Sequence, residues 1–391
     1  MKTKYDFDQI IDRKNTNSVK IDSLQQVFGS DELLSLWVAD MDFLSPIEIT
    51  EALKKRVEHG IFGYVKSNED YYNSIISWLK RKHNWSIEKN VITFIPGVVK
   101  GIAFAIDVFT DVKDKIIIQP PVYPPFKNIT EGLDREIINN PLVFENGQYR
   151  MDFDNLREIA KRDCKMLILC NPHNPAGRVW TKEELSELAE ICFDNQILVV
   201  SDEIHSDLAL FNYKHVPFAT VSAKAAQNNL TLMAPSKTFN IAGIVSSFAV
   251  VENDELRKSY FNYLNARQLG KGNIFAYLAT QYAYEYGEDW LNQVIKYIQQ
   301  NIDYVDNYLQ QNIPQIKAII PEASFLIWLD CRELNLNQKD LENLFIQKAK
   351  LALNSGTMFG VEGKGFMRLN VGCPQSTLHK ALDNLKKAVN L

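Results

Sequence analysis

Lys165-Met-Leu-Ile-Leu-Cys170 opens the stretch that decides the fold; Asn171-Pro-His-Asn-Pro-Ala-Gly-Arg178, Thr181-Lys-Glu-Glu-Leu-Ser-Glu-Leu-Ala-Glu-Ile-Cys192 and Ile197-Leu-Val-Val-Ser201 follow it. The first and last runs are short, continuous and apolar, as strands buried on both faces of a sheet are. Between them, Thr181 and Glu184 make a T-x-x-E capping box, and Leu185, Leu188, Ala189 and Cys192 recur at helical spacing. Strand, helix, strand is a βαβ unit, so an α/β fold with a mainly parallel sheet between helices is expected. Lys115–Gln119 and Leu230–Ala234 are further runs of the same kind. The last hundred residues read differently. Apolar residues spaced three or four apart predict one long helix over Asp289–Gln311, and Phe325–Asp330 and Met367–Val371 read as strands of a smaller α+β unit. The expected division is a large domain over 46–288, and a small one made from 1–45 and 289–391.

In such sheets ligands bind beyond the carboxyl ends of the strands. Those positions hold Asn171-Pro-His-Asn174-Pro-Ala-Gly, Asp202-Glu-Ile-His205 and Pro235-Ser236-Lys237-Thr-Phe-Asn-Ile-Ala-Gly243. Alone, Lys237 reads as a surface lysine and Asp202 as a cap or an ion-pair partner. Together, an amide, a carboxylate and a lysine at neighbouring strand mouths suit pyridoxal 5'-phosphate. That cofactor needs an amine to bond its aldehyde, a carboxylate to keep the ring nitrogen protonated, and a donor to its ring hydroxyl. Two further segments belong with them. Pro96-Gly97-Val98-Val99-Lys-Gly101 precedes an apolar helical stretch ending near Phe109, and amides at a helix N-terminus bind phosphate. Pro120-Pro-Val-Tyr123-Pro-Pro125 follows the 115–119 strand and fixes an aromatic between prolines.

These motifs resemble the fold-type I pyridoxal-phosphate enzymes, the class I/II aminotransferase family, over nearly the whole chain, which implies a seven-stranded sheet. The resemblance makes Lys237 the Schiff-base lysine, Asp202 the partner of the ring nitrogen and Asn174 the donor to the ring hydroxyl. His205 stands where many relatives place a tyrosine near that hydroxyl, with a packed or capping histidine as the lesser reading of that residue. The resemblance also puts the amides of Val98 and Val99, after Gly97, at the phosphate, stacks Tyr123 on the ring, and gives Arg368 the α-carboxylate of the substrate. A guanidinium suits that role because its fork takes both oxygens at once.

Within the family, Trp37-Val-Ala39-Asp40-Met-Asp-Phe43 and His59-Gly-Ile-Phe-Gly-Tyr64 are similar to the MalY/PatB-type cystathionine β-lyases. That likeness implies that Ala39 and Asp40 lie against the substrate, and that Tyr64 reaches the phosphate of a neighbouring subunit in a homodimer. One departure stands out. Many aminotransferases have an arginine eight residues after the lysine, and here Val245 stands there. The phosphate is then left to helix-end amides, Ser236 and Tyr64. The resemblance implies a C–S β-lyase acting on cystathionine, cystine or a related S-substituted cysteine. An aminotransferase sharing every cofactor residue is the alternative, and a regulatory binding protein with secondary lyase activity is a third reading.

The composition is compatible with these readings. The 391 residues carry 43 basic and 48 acidic side chains, a net charge of −5, which gives no basic footprint for nucleic acid. No apolar run approaches the ~18–20 residues of a membrane span. The N-terminal residues lack the apolar core of a secretory signal, so a cytoplasmic enzyme is expected. Five cysteines, with no C-x-x-C pair, favour neither a disulfide framework nor a zinc cage, and no metal site is expected.

Overall fold

The computed structural model describes residues 5–390. Seven strands form the central sheet: β1 (Ile92–Ile95), β2 (Lys115–Ile118), β3 (Glu136–Asn139), β4 (Cys164–Cys170), β5 (Leu198–Asp202), β6 (Asn229–Met233) and β7 (Ser247–Val250). Their order across the sheet is β1-β7-β6-β5-β4-β2-β3. Every pair from β6 to β3 is parallel, and β7 runs antiparallel to both β1 and β6. Apart from Lys165, every residue of β4, β5 and β6 is buried, which is why their sequences show no alternation. The period of two survives in where the side chains go. Met166, Ile168 and Cys170 enter the core on one face, Leu167 and Leu169 that on the other.

The βαβ unit read from the sequence is present, with boundaries moved by about one residue. Its helix spans Lys182–Asp194, and both bonds of the capping box form: Glu184 N–H donates to Thr181 Oγ1 at 3.1 Å, and Thr181 N–H to Glu184 Oε2 at 2.8 Å. The long helix runs over Glu288–Asn312 and buries Trp290, Leu291, Val294, Ile298, Ile302, Val305 and Leu309. Each such side chain contributes on the order of 2 kcal/mol by leaving water. Asn301 sits in the same buried stripe because its amide donates to the carbonyls of Val371 and Cys373.

A second sheet is antiparallel, with strands β8 (Lys317–Ile319), β9 (Leu326–Asp330), β10 (Asn354–Ser355) and β11 (Phe366–Asn370) in the order β8-β9-β11-β10. Leu34–Ser35 pairs in parallel with Leu351–Ala352, tying the N-terminal segment to this C-terminal part. All five cysteines are buried and unpaired. Among the described residues no helix is long and apolar enough to cross a membrane, and no group of three or more His, Cys, Asp or Glu is placed to hold a metal.

Candidate active site

The carboxyl ends of β1, β2, β4, β5 and β6 open onto one cavity of about 310 Å³, within the range of small-molecule sites. Gly97, Val98, Val99, Tyr123, Asn174, Asp202, His205, Ser236, Lys237 and Ala39 all line it. Segments nearly 200 residues apart in sequence therefore converge on one space.

Lys237 lies in a short helical turn, Pro235–Thr238, directly after β6. Its amine donates to the carbonyl of Ala39 at 2.7 Å. Burial brings its pKa down to about 8, opposed by the charges of Asp40 and Asp202 and helped by Arg368. Asp202 ends β5 and is buried, with one oxygen accepting from Ile204 N–H at 3.1 Å. Burial brings its carboxyl up to about 7. A buried carboxylate with so little solvation calls for a cationic donor, and a protonated pyridine nitrogen is one.

Asn174 is held by the turn after β4. Arg178 anchors that turn by donating to Tyr149 O, to Glu322 Oε2 at 3.0 Å and to Glu184. Asn174 Oδ1 accepts from Arg368 Nη1 at 3.0 Å, so its amide nitrogen is left to donate into the cavity. Arg368, on β11, also donates to Trp37 O at 2.9 Å and Asn354 Oδ1 at 2.6 Å, while its buried Nε has no partner. Burial lowers its pKa to about 10.

His205 is buried on the cavity wall, and its Nδ1 has no partner. Burial pushes its pKa down to about 3, so the ring is neutral. Tyr123 caps the helix Pro124–Gly132 and packs edge-on against Phe126; burial, then the Asp202 charge, raises its pKa.

On the opposite side, Val98 and Val99 begin the helix Val98–Phe109, whose first-turn amides have no acceptor within the helix. Ser236, Ser246 and Ser247 line the same side. Val245 is there too, in a left-handed conformation (φ 58°, ψ 60°) that β-branched residues rarely adopt. No arginine lines the cavity; what it offers a phosphate is main-chain amides, hydroxyls and Lys100, which also lines it. The residues present fit pyridoxal phosphate: an amine, a carboxylate without a counter-ion, an amide with a free donor and a helix N-terminus surround one cavity.

Three expected residues are not in the cavity lining: Arg368, which bonds the lining residue Asn174, and Tyr64 and Asp40. Tyr64 is wholly exposed, in the irregular stretch 60–68, and does not line the cavity of its own chain. Asp40 turns its carboxylate to Arg13 and Lys20, and it is the neighbouring Ala39 carbonyl that meets the lysine. The sequence reading missed Cys170, Ser246 and Ser247 in the lining, and Asn354 behind Arg368. The serines follow Val245 directly and could have been found from it; Asn354 carries no sequence signal.

A family model for aminotransferase class I and II matches residues 31–385. The chain belongs to the aminotransferase class I and II family. Among its relatives in this family, it is 42% identical to cystathionine beta-lyase PatB of Bacillus subtilis, an alignment covering 98% of this chain and 100% of that one. It is 32% identical to protein MalY of Escherichia coli, over 98% of this chain and 99% of that one. The fold superposes on that of cystalysin from Treponema denticola, a crystal structure containing a pyridoxal 5'-phosphate cofactor, with a TM-score of 0.96 and 35% identity over 99% of both chains. Within the aminotransferase class I and II family, the chain falls with the MalY/PatB-type branch.

Proposed function

We propose that the protein is a pyridoxal-phosphate-dependent C–S β-lyase that cleaves L-cystathionine or a related S-substituted cysteine to a thiol, pyruvate and ammonia. The observation that carries this reading is the buried Lys237 amine, its pKa brought down to about 8 beside a buried carboxylate, in a chain 42% identical from end to end to a cystathionine β-lyase.

Lys237 would hold the cofactor, with Asp202 at the ring nitrogen, Asn174 and His205 at the ring hydroxyl, Tyr123 on the ring face, and Gly97, Val98, Val99 and Ser236 at the phosphate. When bound, pyridoxal phosphate supplies a protonated conjugated ring that delocalises the electron pair left as the Cα–H bond breaks. Asp202 keeps that ring cationic by holding a proton at the nitrogen. Arg368 grips the substrate α-carboxylate through its fork, already aimed by Asn174, Trp37 and Asn354. This orients the Cα–H bond towards Lys237, whose uncharged amine takes the proton. The electron pair then forms the Cα–Cβ double bond as the Cβ–S bond breaks and its pair leaves on sulfur as thiolate; water hydrolyses the released aminoacrylate to pyruvate and ammonia. Thiolate leaves readily, so the residues mainly need to orient that bond.

The same reading makes the protein a homodimer. Tyr64 and its exposed apolar neighbours Ile61, Phe62 and Val65 make a surface that a second copy would cover, bringing Tyr64 to the partner's phosphate. Light scattering should then give about twice 44.9 kDa. It also divides the chain into a large domain over 46–288, with the seven-stranded sheet, and a small one from 1–45 and 289–391, supported by the pairing of Leu34–Ser35 with Leu351–Ala352. A cytoplasmic location is part of the proposal.

The test is a product assay. L-cystathionine is added without any oxo acid, and pyruvate and homocysteine are measured for wild type and for Lys237→Ala. Equal amounts of both from wild type, and a fall of at least about 10²-fold in the variant, are expected. Amino-group transfer to an added 2-oxo acid, with no pyruvate in its absence, would overturn the lyase reading.

A further inference from the structure

The segment that carries Ala39 is fixed by a four-charge cluster to which the reaction above assigns no part. Lys20 is completely buried, and its amine donates to the Asp40 carbonyl at 3.2 Å and to Asp42 Oδ2 at 2.9 Å. It also lies 3.5 Å from Asp40 Oδ1. Arg13 takes Asp40 with both arms, Nη1 to Oδ1 at 3.0 Å and Nη2 to Oδ2 at 2.7 Å, and Nη1 also reaches Asp42 Oδ1 at 2.7 Å. Two cations thus face two carboxylates. Burial works against the Asp40 carboxylate, but Arg13 and Lys20 outweigh it and hold its pKa below the usual range.

Two asparagines clamp the main chain between these charges. Asn370 donates to Val38 O at 2.6 Å and Asp40 O at 2.7 Å. Asn240, three residues after the lysine, accepts from Met41 N–H at 2.9 Å and donates to Met41 O at 2.9 Å. The cluster and the lysine loop are therefore one rigid assembly, and its nearest product is the Ala39 carbonyl 2.7 Å from Lys237 Nζ.

The electrostatic consequence follows from the charge count. An unbalanced Asp40 carboxylate beside Lys237 would favour its ammonium form, and the lysine would then be no base. Among the other groups facing the amine, Asp202 and Arg368 are of opposite sign and offset each other, and Tyr123 and His205 are neutral, so none is left to cancel that charge. We infer that Arg13 and Lys20 are positioning residues for Lys237, which pin the Ala39 carbonyl against the amine and cancel the carboxylate charge beside it, so that the amine can stand uncharged. The inference rests on the role given to Lys237 above, and reaches a part of the chain, residues 13–42, that lies outside the strand mouths.

The test needs neither cofactor nor turnover. The cofactor-free protein is labelled with a trace of acetic anhydride across a pH series, and acetylation of Lys237 is read by mass spectrometry. The wild-type midpoint should lie near 8. Arg13→Gln removes a positive charge and should raise the midpoint by on the order of one pH unit. Asp42→Asn removes a negative charge from the same cluster in a side chain of the same shape, and should lower it. Arg13→Lys keeps the charge and should leave the midpoint near that of wild type. Opposite shifts are not what loosened packing produces, and Asp42→Asn keeps the test open if Arg13→Gln does not fold. Unmoved midpoints in both charge variants, or shifts of the same sign, would overturn the inference while leaving the reading of Lys237 intact. A wild-type midpoint near 10.5 would instead undo that reading.

Discussion

Gly177→Ala should damage the protein more than Gly147→Ala, because two penalties meet at Gly177. Gly177 has φ +69°, and an alanine Cβ would lie 2.5 Å from Pro321 Cβ and 2.8 Å from Pro321 Cα. The first penalty, a side chain in the left-handed region, is about 1–2 kcal/mol. The second is overlap with backbone that cannot swing aside, about 1–3 kcal/mol. Alanine recovers about 0.4–1 kcal/mol through the unfolded chain. The net loss is then about 2–4 kcal/mol. Gly147→Ala is the matched control: its φ is +78°, nothing lies within 4 Å of the added carbon, and only the first penalty applies, a net loss of about 1 kcal/mol.

The difference should reach the site as well. Gly177 N–H donates to His173 O, and Gly177 O accepts from the amides of Glu322 and Ala323, so the turn carrying Asn174 moves with Pro321. A shifted Asn174 loosens its bond to Arg368, and KM for the amino acid should rise in Gly177→Ala and stay unchanged in Gly147→Ala. The assay is urea unfolding of both variants beside wild type, followed by steady-state kinetics. Equal stability losses in the two variants would refute the overlap argument, and an unchanged KM in Gly177→Ala would refute its link to the site.

Two further predictions concern stability. Thr181→Ala removes one half of the capping box on the helix Lys182–Asp194 and should cost about 1 kcal/mol, read as a lower urea midpoint with an unchanged slope. His173 is buried, and burial lowers its pKa to about 3 from an ordinary 6.5. Between those values the unfolded chain binds the proton and the folded chain does not, so stability falls as pH drops below 6.5. His173→Phe keeps an aromatic against Trp180 and should shrink the stability difference between pH 7 and pH 5 by about 2 kcal/mol; an unchanged difference would refute a neutral His173.

Much of the fold was legible because continuous burial leaves a plain trace. The strands β4, β5 and β6 are apolar runs ending at turn residues, and the helices between and after them have a box or a long stripe. The residues following those strands held nearly the whole site, since parallel topology forces their carboxyl ends together. What the sequence hid has physical causes too. β1 and β7, Ile-Thr-Phe-Ile and Ser-Phe-Ala-Val, are as short as β2 but lack its unbroken run of isoleucines, so the antiparallel edge of the sheet went unread. The Arg13–Lys20–Asp40–Asp42 cluster joins irregular segments by charge alone, with no periodicity to mark it. Tyr64 lies exposed and outside the cavity of its own chain, and only the proposed homodimer gives it a site to serve.

The proposed chemistry turns on one amine, that of Lys237. The most direct measurement is to load the protein with pyridoxal phosphate, reduce it with borohydride, digest it and find the residue that carries the pyridoxyl group by mass spectrometry. A single modified peptide spanning Pro235–Gly243, with the group on Lys237 and none on Lys20 or Lys100, is the predicted result. Stoichiometric modification of any other lysine, with Lys237 unmodified, would contradict the site as described.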